Sequence, residues 1–207
     1  MPKDKTQSHL LILKMAKEDF LRQGYEKTSM RQVARRAGLT GGALYKHFSG
    51  KEEMFHALID PVYQGMIRLY QKQTKRAKDI LLSQGLEAFT EDSTDITMLI
   101  LEFIYQYFEE FQLMFRAPKE SKYFHIRERM VELEIESSKE IAKALGRNGI
   151  KDIVSDELMH IFFTMSLTPL FEVIEHGYPY EKAAKIVEKI SKVQNYAWQK
   201  LIKENNE

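Results

Sequence analysis

The chain has 207 residues and a mass of 24.3 kDa, which allows one ordinary domain or a small domain joined to a larger one. With 43% hydrophobic and 29% charged residues, 10 Gly and 5 Pro, its composition excludes a mainly disordered or collagen-like protein. The absence of cysteine excludes disulfide bonds and thiolate metal sites. No apolar signal segment begins the chain, and no charge-free stretch reaches the about 20 residues of a membrane span. We therefore expect a cytoplasmic protein without a membrane segment.

Charge is distributed unevenly along the chain. Residues 1–51 contain 11 Lys or Arg and 4 Asp or Glu, a net charge of +7, whereas residues 52–207 carry −6. A compact basic segment is the electrostatic footprint expected of a protein that binds the phosphates of nucleic acid. We therefore divide the chain into a basic domain, 1–51, and an acidic domain, 52–207.

The basic domain contains three short predicted helices. The first runs from about residue 7 to residue 23, and its apolar residues recur with the period of a helix. Gly24 supplies the left-handed residue that ends a helix, and Tyr25 follows where an apolar contact back onto Phe20 is expected.

The second predicted helix is marked at both ends. It begins at Ser29, whose hydroxyl can accept from the Gln32 amide while the Gln32 side chain reaches back to the Ser29 amide. Such a capping box is a signature of a helix N-terminus. Gly38 and Leu39 stop this helix in the same way as Gly24 and Tyr25 stop the first.

The third predicted helix is brief. Thr40 can cap it, and Leu44 and Phe48 lie one turn apart and face inward. Ser49 and Glu52 form another predicted capping box, which opens a fourth helix. A helix, a glycine turn and a second short helix together form a helix-turn-helix, a unit that places its second helix in the major groove of DNA.

The outward face of the third helix is small, basic and aromatic. Gly42, Tyr45 and Lys46 lie opposite the two inward residues on a helical wheel, and Thr40 and Gly41 lie at the leading end. Glycines let a backbone approach a duplex closely, a helix N-terminus attracts phosphate, and lysine and tyrosine add hydrogen-bond donors. This face therefore predicts a DNA-binding surface.

The stretch GYEKTSMRQVARRAGLTGGALYKHFSGKEEMF, residues 24–55, resembles the DNA-binding domain of the TetR-type bacterial transcriptional regulators. The family pattern has a small N-cap residue, matched by Thr40, and an LYxHF-like ending, matched by Leu44, Tyr45, His47 and Phe48. A lysine follows in the family and is matched by Lys51. The resemblance covers about a quarter of the chain; the remainder is similar only in length and helical character.

The resemblance implies DNA contacts by Thr40, Tyr45 and Lys46 and phosphate contacts by Lys51 and Arg31. His47 either packs near Phe48 or contacts DNA. Gly41 and Gly42 replace a longer polar residue found in many relatives, so we expect specificity to rest on Tyr45, Lys46, backbone approach and DNA shape. The predicted DNA-binding residues are Ser29, Arg31, Thr40, Gly41, Gly42, Tyr45, Lys46, His47 and Lys51.

The acidic domain is predicted to be all-α, because helical periodicity continues up to Ile202 with no sustained alternation. Pro61 interrupts the apolar pattern of the fourth helix, so we expect a kink or break there. The site is either a hinge or a simple boundary between two helices.

Aromatic residues between residues 93 and 115 form a stripe that is either ordinary core or the wall of a cavity. The resemblance implies a mostly apolar cavity for a small effector in this domain. The predicted lining residues are Phe103, Tyr107, Phe108, Phe111, Phe115, Phe124, Phe163 and Met165.

Two long helices are predicted at the C-terminal end, over residues 156–175 and 180–202, around a turn at Gly177 and Pro179. The second carries a narrow apolar seam, and the first is apolar almost all round, so both need cover from a partner subunit. The predicted homodimer would place two recognition helices roughly 34 Å apart, one turn of DNA. The predicted interface residues are Phe162, Leu170, Ile174, Val187, Ile190, Ala197 and Leu201.

Two other classes of protein stay open. Glu53 with His56 and Glu157 with His160 match the Glu-x-x-His pairs of di-iron bundle enzymes. The second alternative is a helical adaptor protein, in which the basic domain binds another protein and not DNA. We favour a dimeric repressor that leaves a palindromic operator when an effector binds, with no catalytic residue, metal or cofactor.

Overall fold

The computed structural model describes residues 5–144 and 155–204, except the side chains of residues 85–95, 144 and 202–204. These residues form eight α-helices and no strand, so the predicted all-α class with an N-terminal helix-turn-helix is confirmed. The helices are α1 (Lys5–Lys27), α2 (Met30–Arg36), α3 (Gly41–Tyr45), α4 (Lys51–Gln106), α5 (Phe108–Phe115), α6 (Ile126–Ala144), α7 (Asp156–Glu175) and α8 (Tyr180–Glu204).

The chain divides into two compact units whose boundary differs from the predicted one at residue 51. The head unit comprises the chain up to Gly65 together with Glu109–Phe124, and the body unit comprises Met66–Phe108 and the chain from His125 onward. The head extends past residue 51 because Phe55 packs edge-on against aromatic rings of α1 and the following turn, 5.4 and 5.2 Å between centroids.

Helix α1 loses its helical geometry at Gly24, as the sequence predicts. Gly24 has φ 82°, a conformation that side chains with a Cβ rarely adopt. The Tyr25 ring then stacks on Phe20 with 5.7 Å between centroids. The buried Thr28 hydroxyl donates to the Gly24 carbonyl at 2.9 Å, which satisfies a carbonyl at this helix end.

Helix α2 has the predicted start and stop. The Ser29 hydroxyl accepts from the Gln32 amide at 3.3 Å. The Gln32 side-chain oxygen accepts from Gln23 of α1 at 3.2 Å, whereas the capping box predicts the Ser29 amide as its partner. At the other end Gly38 has φ 67°, and the Leu39 amide donates back across the turn to the Ala34 carbonyl at 2.9 Å. This is the Schellman arrangement that the glycine predicts.

Helix α3 is capped as predicted, whereas the start of α4 requires a correction. The Thr40 hydroxyl accepts from the Ala43 amide at 3.2 Å. Glu53, and not the predicted Glu52, accepts from the Ser49 amide at 2.6 Å and from its hydroxyl at 2.7 Å. These two hydrogen bonds lower the pKa of Glu53. The capping glutamate shifts by one because Gly50, whose carbonyl accepts from the Met54 amide, is the last residue before the helix.

Helix α4 continues through Pro61, so the break expected there does not occur. Ile59 and Val62, on either side of the proline, are buried in the head unit. Burial of this kind offsets the hydrogen bond that a proline removes from a helix.

Helix α7 has the predicted boundaries, and α8 begins as predicted and ends two residues later than predicted, at Glu204. The Ser155 hydroxyl accepts from the Leu158 amide at 3.2 Å and caps α7. At its other end Gly177 has φ 60°, and the Tyr178 amide donates to the Val173 carbonyl at 3.1 Å, a second Schellman turn. Tyr105 of α4 donates to the Tyr178 carbonyl at 2.6 Å and fixes this turn in the body unit.

A side chain of α8 replaces the hydrogen bond that a proline removes from α7. Pro169 has no N–H to donate to the carbonyl four residues earlier, and that carbonyl, on Met165, accepts from the Gln194 side chain at 2.9 Å. Gln194→Ala should therefore lower the free energy of unfolding by about 1 kcal/mol. In a Pro169→Ala background the loss should be smaller, because an alanine restores the missing N–H. Denaturant unfolding of the two single variants and the double variant measures this coupling, and equal losses in both backgrounds would contradict it.

Within the described residues, α7 is also the one helix that is long and apolar enough to cross a membrane by length and composition. This test allows two charged residues in its window, and the charge-free part of α7, between Glu157 and Glu172, is shorter than a membrane span, as the sequence predicts. The core helix of a soluble bundle passes the same test, and eight residues of α7 are buried within the protein. In the body unit α7 packs against both α6 and α8.

Candidate nucleic-acid interface and ligand cavity

The inner face of α3 is anchored and its outer face is open. Leu44 is fully buried and Phe48 is 2% exposed, so both fix the helix on the head core as predicted. Tyr45 is 56% exposed, and Lys46 and Thr40 are exposed as well. The tyrosine and lysine that the sequence assigns to DNA therefore project from one surface of the head.

The two glycines of α3 leave open space on this surface. A Cβ atom added at Gly41 or Gly42 would meet nothing within 4 Å. Neither glycine has a positive φ, so neither is required by the backbone of the free protein. The fold of the head therefore does not require glycine at either position. A requirement for close approach of a ligand to the α3 backbone would explain why both residues are small.

Arg31 on α2 is exposed and extends the basic surface, and Ser29 is exposed at the α2 cap.

Lys51, which is predicted to contact phosphate, makes contacts within the head in the structure. Its ammonium donates to the Tyr25 carbonyl at 2.8 Å and lies 4.0 Å from the centre of the Tyr25 ring. It therefore links α4 to the end of α1, and the phosphate contact that the resemblance implies stays a prediction for its remaining N–H.

His47 is partly exposed and lies beside a residue that the sequence reasoning missed. The ring of His9 on α1 stacks on Phe48 with 4.6 Å between centroids and lies 5.9 Å from the ring of His47. His9 is separated from α3 by about 30 positions in the chain, and no local pattern links them. The structure thus shows a packing environment for His47, and its contact with DNA stays a prediction.

A buried ion pair holds the helices behind the recognition surface. Asp19 of α1 is fully buried, and its carboxylate accepts from Arg36 of α2 at 2.6 Å and from Arg22 at 2.7 Å. Arg36 also pairs with Glu18 and donates to the Met15 carbonyl at 3.3 Å. Asp19 is the fully buried member of this cluster, and the two arginines compensate its charge, whereas Arg36 is 28% exposed and shares Glu18 as a second partner.

The body unit contains a cavity of about 170 Å³ between α4, α6, α7 and α8. Its apolar wall includes the rings of Phe162, Phe163 and Trp198, whose centroids lie 4.7 to 5.9 Å apart. Its polar wall includes Thr74 and Ser137, whose hydroxyls are 2.8 Å apart, together with Tyr70, Gln73, Glu134, Ser138, Ser166, Ser191, Gln194, Asn195 and Gln199.

One carboxyl group lines this cavity. Burial raises the pKa of Glu134 from 4.5 to about 7, and the nearby Tyr70 hydroxyl lowers it only in part. The pKa of Tyr70 is raised for the same reason, burial first and the Glu134 charge second. The Tyr70 hydroxyl therefore lies beside the Glu134 carboxyl. The Gln73 side-chain oxygen is buried and has no hydrogen-bond partner among the described residues.

Comparison with known proteins supports the resemblance. The model of the tetR family of bacterial regulatory proteins matches residues 12–58. The uncharacterized HTH-type transcriptional regulator YfiR of Bacillus subtilis is 31% identical over 106 residues, 51% of each chain. The uncharacterized regulator TtgW of Pseudomonas putida is 31% identical over 98 residues, which are 37% of this chain and 73% of TtgW. The chain belongs to the TetR family of bacterial regulators.

Solved structures have the same fold. A TerR/AcrR-family transcriptional regulator from Aquifex aeolicus has a TM-score of 0.57 and 20% identity, covering 90% of this chain and 99% of that one. The SmeT–triclosan complex has a TM-score of 0.54 and 16% identity, covering 89% and 90%. At these identities the likeness shows the fold alone. The chain spans about half the length of the first curated relatives that it matches.

The cavity of this TetR-family chain differs from the predicted one in its lining. Of the predicted residues, Phe163 lines it. Phe111 is fully buried in the head unit, where Phe115 and the 43% exposed Phe124 also lie, and Met165 is 60% exposed. Phe103, Tyr107 and Phe108 are in the body unit but do not line the cavity. The aromatic stripe is therefore mainly ordinary packing, with the Phe103 and Tyr107 rings 5.0 Å apart.

The predicted dimer residues also need correction. Leu170, Ile174 and Val187 are fully buried inside the protomer, where they hold α7 and α8 together, and cannot offer area to a partner. Phe162 lines the cavity, whereas Ile190 and Ala197 are exposed. Leu201 is partly exposed and stays a prediction. The large apolar side chains exposed on the described parts of α7 and α8 are Leu158, Ile161, Met165, Tyr180, Ile190, Val193 and Tyr196.

The Glu-x-x-His pairs of the enzyme alternative fall in different units. Glu53 and His56 lie in the head, where the Glu53 carboxylate caps α4, and Glu157 and His160 lie in the body. Across residues 5–144 and 155–204, no group of three or more His, Asp or Glu side chains is arranged to hold a metal ion.

The raised pKa of Glu134 makes the stability of the body unit depend on pH. Because the folded protein keeps the proton that the unfolded chain releases, stability should fall as pH rises from 4.5 to about 7. Glu134→Gln should remove about 1–3 kcal/mol of this change. Denaturant unfolding at several pH values measures it, with Glu132→Gln, an exposed position on the same helix, as the control. A slope that is the same in Glu134→Gln and wild type would contradict the assignment.

Proposed function

We infer that the protein is a dimeric DNA-binding transcriptional repressor that releases its operator when a small molecule occupies the body cavity. The observation that carries this proposal is the exposed face of α3, anchored from behind by Leu44 and Phe48 and bearing Tyr45 and Lys46. A short helix fixed in this way after a tight turn is the recognition element of a helix-turn-helix.

On this proposal the residues of the head divide by role. Tyr45 and Lys46 reach base edges and phosphates in the major groove, while Gly41 and Gly42 let the backbone approach. Thr40, Ser29 and Arg31 lie at helix starts and on α2, where they would contact the backbone of the duplex. Lys51 and His47 are the remaining residues that are predicted to bind DNA. Both also contact other residues of the head.

The experiment that tests this proposal compares Lys46→Ala with wild type on a selected operator and on random DNA. We expect the operator complex to weaken by at least about tenfold, more than the complex with random DNA, because a base contact discriminates and a phosphate contact does not. Lys72→Ala, at an exposed position on α4 of the body unit, is the charge-matched control. Equal losses on both duplexes would make Lys46 a phosphate contact. No binding by wild type at low salt would contradict the whole proposal and favour an adaptor.

A homodimer is proposed from the apolar residues that the fold leaves uncovered. Ile161 and Met165 project from α7, and Val193 and Tyr196 from α8, with exposures of 56% to 69%. Contiguous apolar area of this kind marks an interaction surface, and a two-fold copy of the same helix pair would bury it as a four-helix interface.

Met165→Glu should therefore shift the protein from dimer to monomer, since a two-fold interface would place two buried carboxylates near one another. Analytical ultracentrifugation measures the change. Leu82→Glu, at a residue of α4 that is 63% exposed, introduces the same charge at an exposed apolar position and should leave the dimer intact. A dimer of unchanged stability in Met165→Glu would show that this surface is not the interface.

The effector site is proposed for the body cavity, which is enclosed by four helices and has both apolar and polar walls. The SmeT structure, which contains triclosan, is of a protein with the same fold, and this likeness supports a small-molecule site here. The effector that we propose is small and apolar or amphipathic, in keeping with the ring cluster of Phe162, Phe163 and Trp198.

Along the chain, the head unit is joined to the body unit within α4 and at both ends of the segment Glu109–Phe124. This segment belongs to the head unit, although the chain on both sides of it, in α4 and α6, lines the cavity. Lys17 of α1 pairs with Glu109 at 2.6 Å and with Glu110 at 2.7 Å. Tyr123 is buried and donates to Asp60, which also pairs with Lys122. A shift of α4 or α6 on effector binding would act on the head through this segment.

A further inference from the structure

The chemistry of the body cavity is more specific than its shape. Of the residues that line it, only Glu134 on α6 and Tyr70 on α4 are ionisable, and the described lining contains no Lys, Arg or His. No cation in this lining compensates the Glu134 carboxylate. A partly buried carboxylate without a cationic partner is destabilised unless the group is protonated or a cation is bound.

Two further acceptors lie in the same lining. The Gln73 side-chain oxygen is buried without a hydrogen-bond partner. The Tyr70 hydroxyl interacts with the Glu134 carboxyl and keeps a lone pair for a ligand, and both residues are less than 9% exposed. Tyr70 and Gln73 are three residues apart on α4 and so lie on one helix face. An unpartnered buried acceptor is rare in folded proteins, so the position of the Gln73 oxygen in a cavity indicates that a ligand supplies a donor.

The opposite wall suits the apolar part of the same ligand. Trp198 lies 4.7 Å from Phe162 and 5.4 Å from Phe163 between ring centroids, and all three line the cavity. Aromatic faces attract cations as well as rings, and tryptophan does so most strongly. A cavity of about 170 Å³ is comparable to the engineered cavity of about 150 Å³ in another protein that holds benzene.

We propose that the effector is a small organic cation, an amine with one ring, whose ammonium group binds Glu134 and whose ring packs on Trp198 and Phe162. A primary ammonium has three N–H donors, and Glu134, Gln73 and Tyr70 offer an acceptor each. An anion would meet the carboxylate without any compensating cation in the described lining, and a neutral ligand would supply no positive charge to balance it. This inference rests on the proposed effector site and specifies the chemistry of its ligand.

The test titrates the full-length protein with benzylamine, with neutral benzyl alcohol and with benzoate at about pH 8. Trp198 is the single tryptophan of the chain, so its fluorescence reports binding at the cavity wall. We expect benzylamine to bind at least about tenfold more tightly than benzyl alcohol and benzoate not to bind. Glu134→Gln should weaken benzylamine at least about tenfold and leave benzyl alcohol within about twofold.

Two controls separate the role of Glu134 from a structural effect. Glu136→Gln on the same helix, whose carboxylate faces Arg129 and not the cavity, should bind benzylamine as wild type does. The affinity of wild type for benzylamine should rise with pH up to about 7, because the bound form of Glu134 has lost its proton. This dependence should be absent in Glu134→Gln.

The outcomes distinguish this inference from the proposed function. Equal or tighter binding of benzyl alcohol, an unchanged benzylamine affinity in Glu134→Gln, or no benzylamine binding up to about 10 mM would overturn the cation inference. If neutral or anionic compounds fill the cavity and release DNA, the effector site stands and its proposed chemistry is wrong. If benzylamine binds through Glu134 and DNA binding does not change, the cation site stands and the regulatory role of the cavity is wrong.

Discussion

Gly42→Ala should weaken operator binding by at least about tenfold while the protein becomes as stable as wild type or up to about 1 kcal/mol more stable. The two effects have opposite directions because a Cβ at this position meets open space in the free protein and helices favour alanine over glycine. In the complex the same methyl group would occupy the space through which the α3 backbone approaches the duplex.

Gly42→Glu should weaken operator binding further, by about 100-fold or more. A carboxylate in the first turn of α3 is tolerated by the helix but would face the phosphates of the duplex. Fluorescence anisotropy on a labelled operator and thermal unfolding measure the two quantities. Gly50→Ala is the matched control, since Gly50 also has open space around it but precedes α4. Unchanged affinity in both Gly42 variants would show that α3 does not approach DNA.

Asp19→Ala should destabilise the head by about 2–3 kcal/mol, the upper range for hydrogen bonds to a charged group, because Asp19 is fully buried and accepts from two arginines. Arg36 would lose the carboxylate that it contacts at 2.6 Å and remain partly buried beside α1. Since this pair joins α1 to α2, the variant should lose operator binding as the head unfolds.

Glu18→Ala provides the matched control for Asp19→Ala. Glu18 is adjacent, pairs with the same Arg36 and is 43% exposed at its side chain, so its removal should cost at most about 1 kcal/mol. Denaturant unfolding followed by circular dichroism measures both variants. Similar losses for the two substitutions would mean that burial of Asp19 contributes nothing to the head.

The structure confirms the features of the head that short-range sequence signals predict. Ser29 and Thr40 cap their helices, and Gly24 and Gly38 adopt the positive φ expected at helix ends, because each depends only on neighbouring residues. The sequence predicts Glu52 as the capping residue of α4, whereas the structure uses Glu53, and this error also arises from relying on neighbouring residues alone. Both Glu52 and Glu53 satisfy a capping pattern, and the choice depends on which residue begins the helix.

The ligand cavity could not be predicted in this way. Its lining depends on which faces of four helices meet, and the aromatic stripe ending at Phe111 proved to be core. Glu134 gives no signal in a helix rich in glutamates, because its burial is a property of the assembled body. The place of Glu109–Phe124 in the head was also invisible, since Tyr123 meets Asp60 across 63 positions of the chain.

Selection of duplexes from random DNA by the wild-type protein, followed by affinity measurements over a range of salt, tests the role of α3 most directly. We expect a palindromic site whose half-sites are about 10 base pairs apart, and an affinity that falls steeply with salt. We also expect that the Gly42→Glu variant keeps its fold but enriches no sequence in the same experiment. No enriched sequence, or an enriched sequence that Gly42→Glu still binds with wild-type affinity, would contradict a recognition helix at α3.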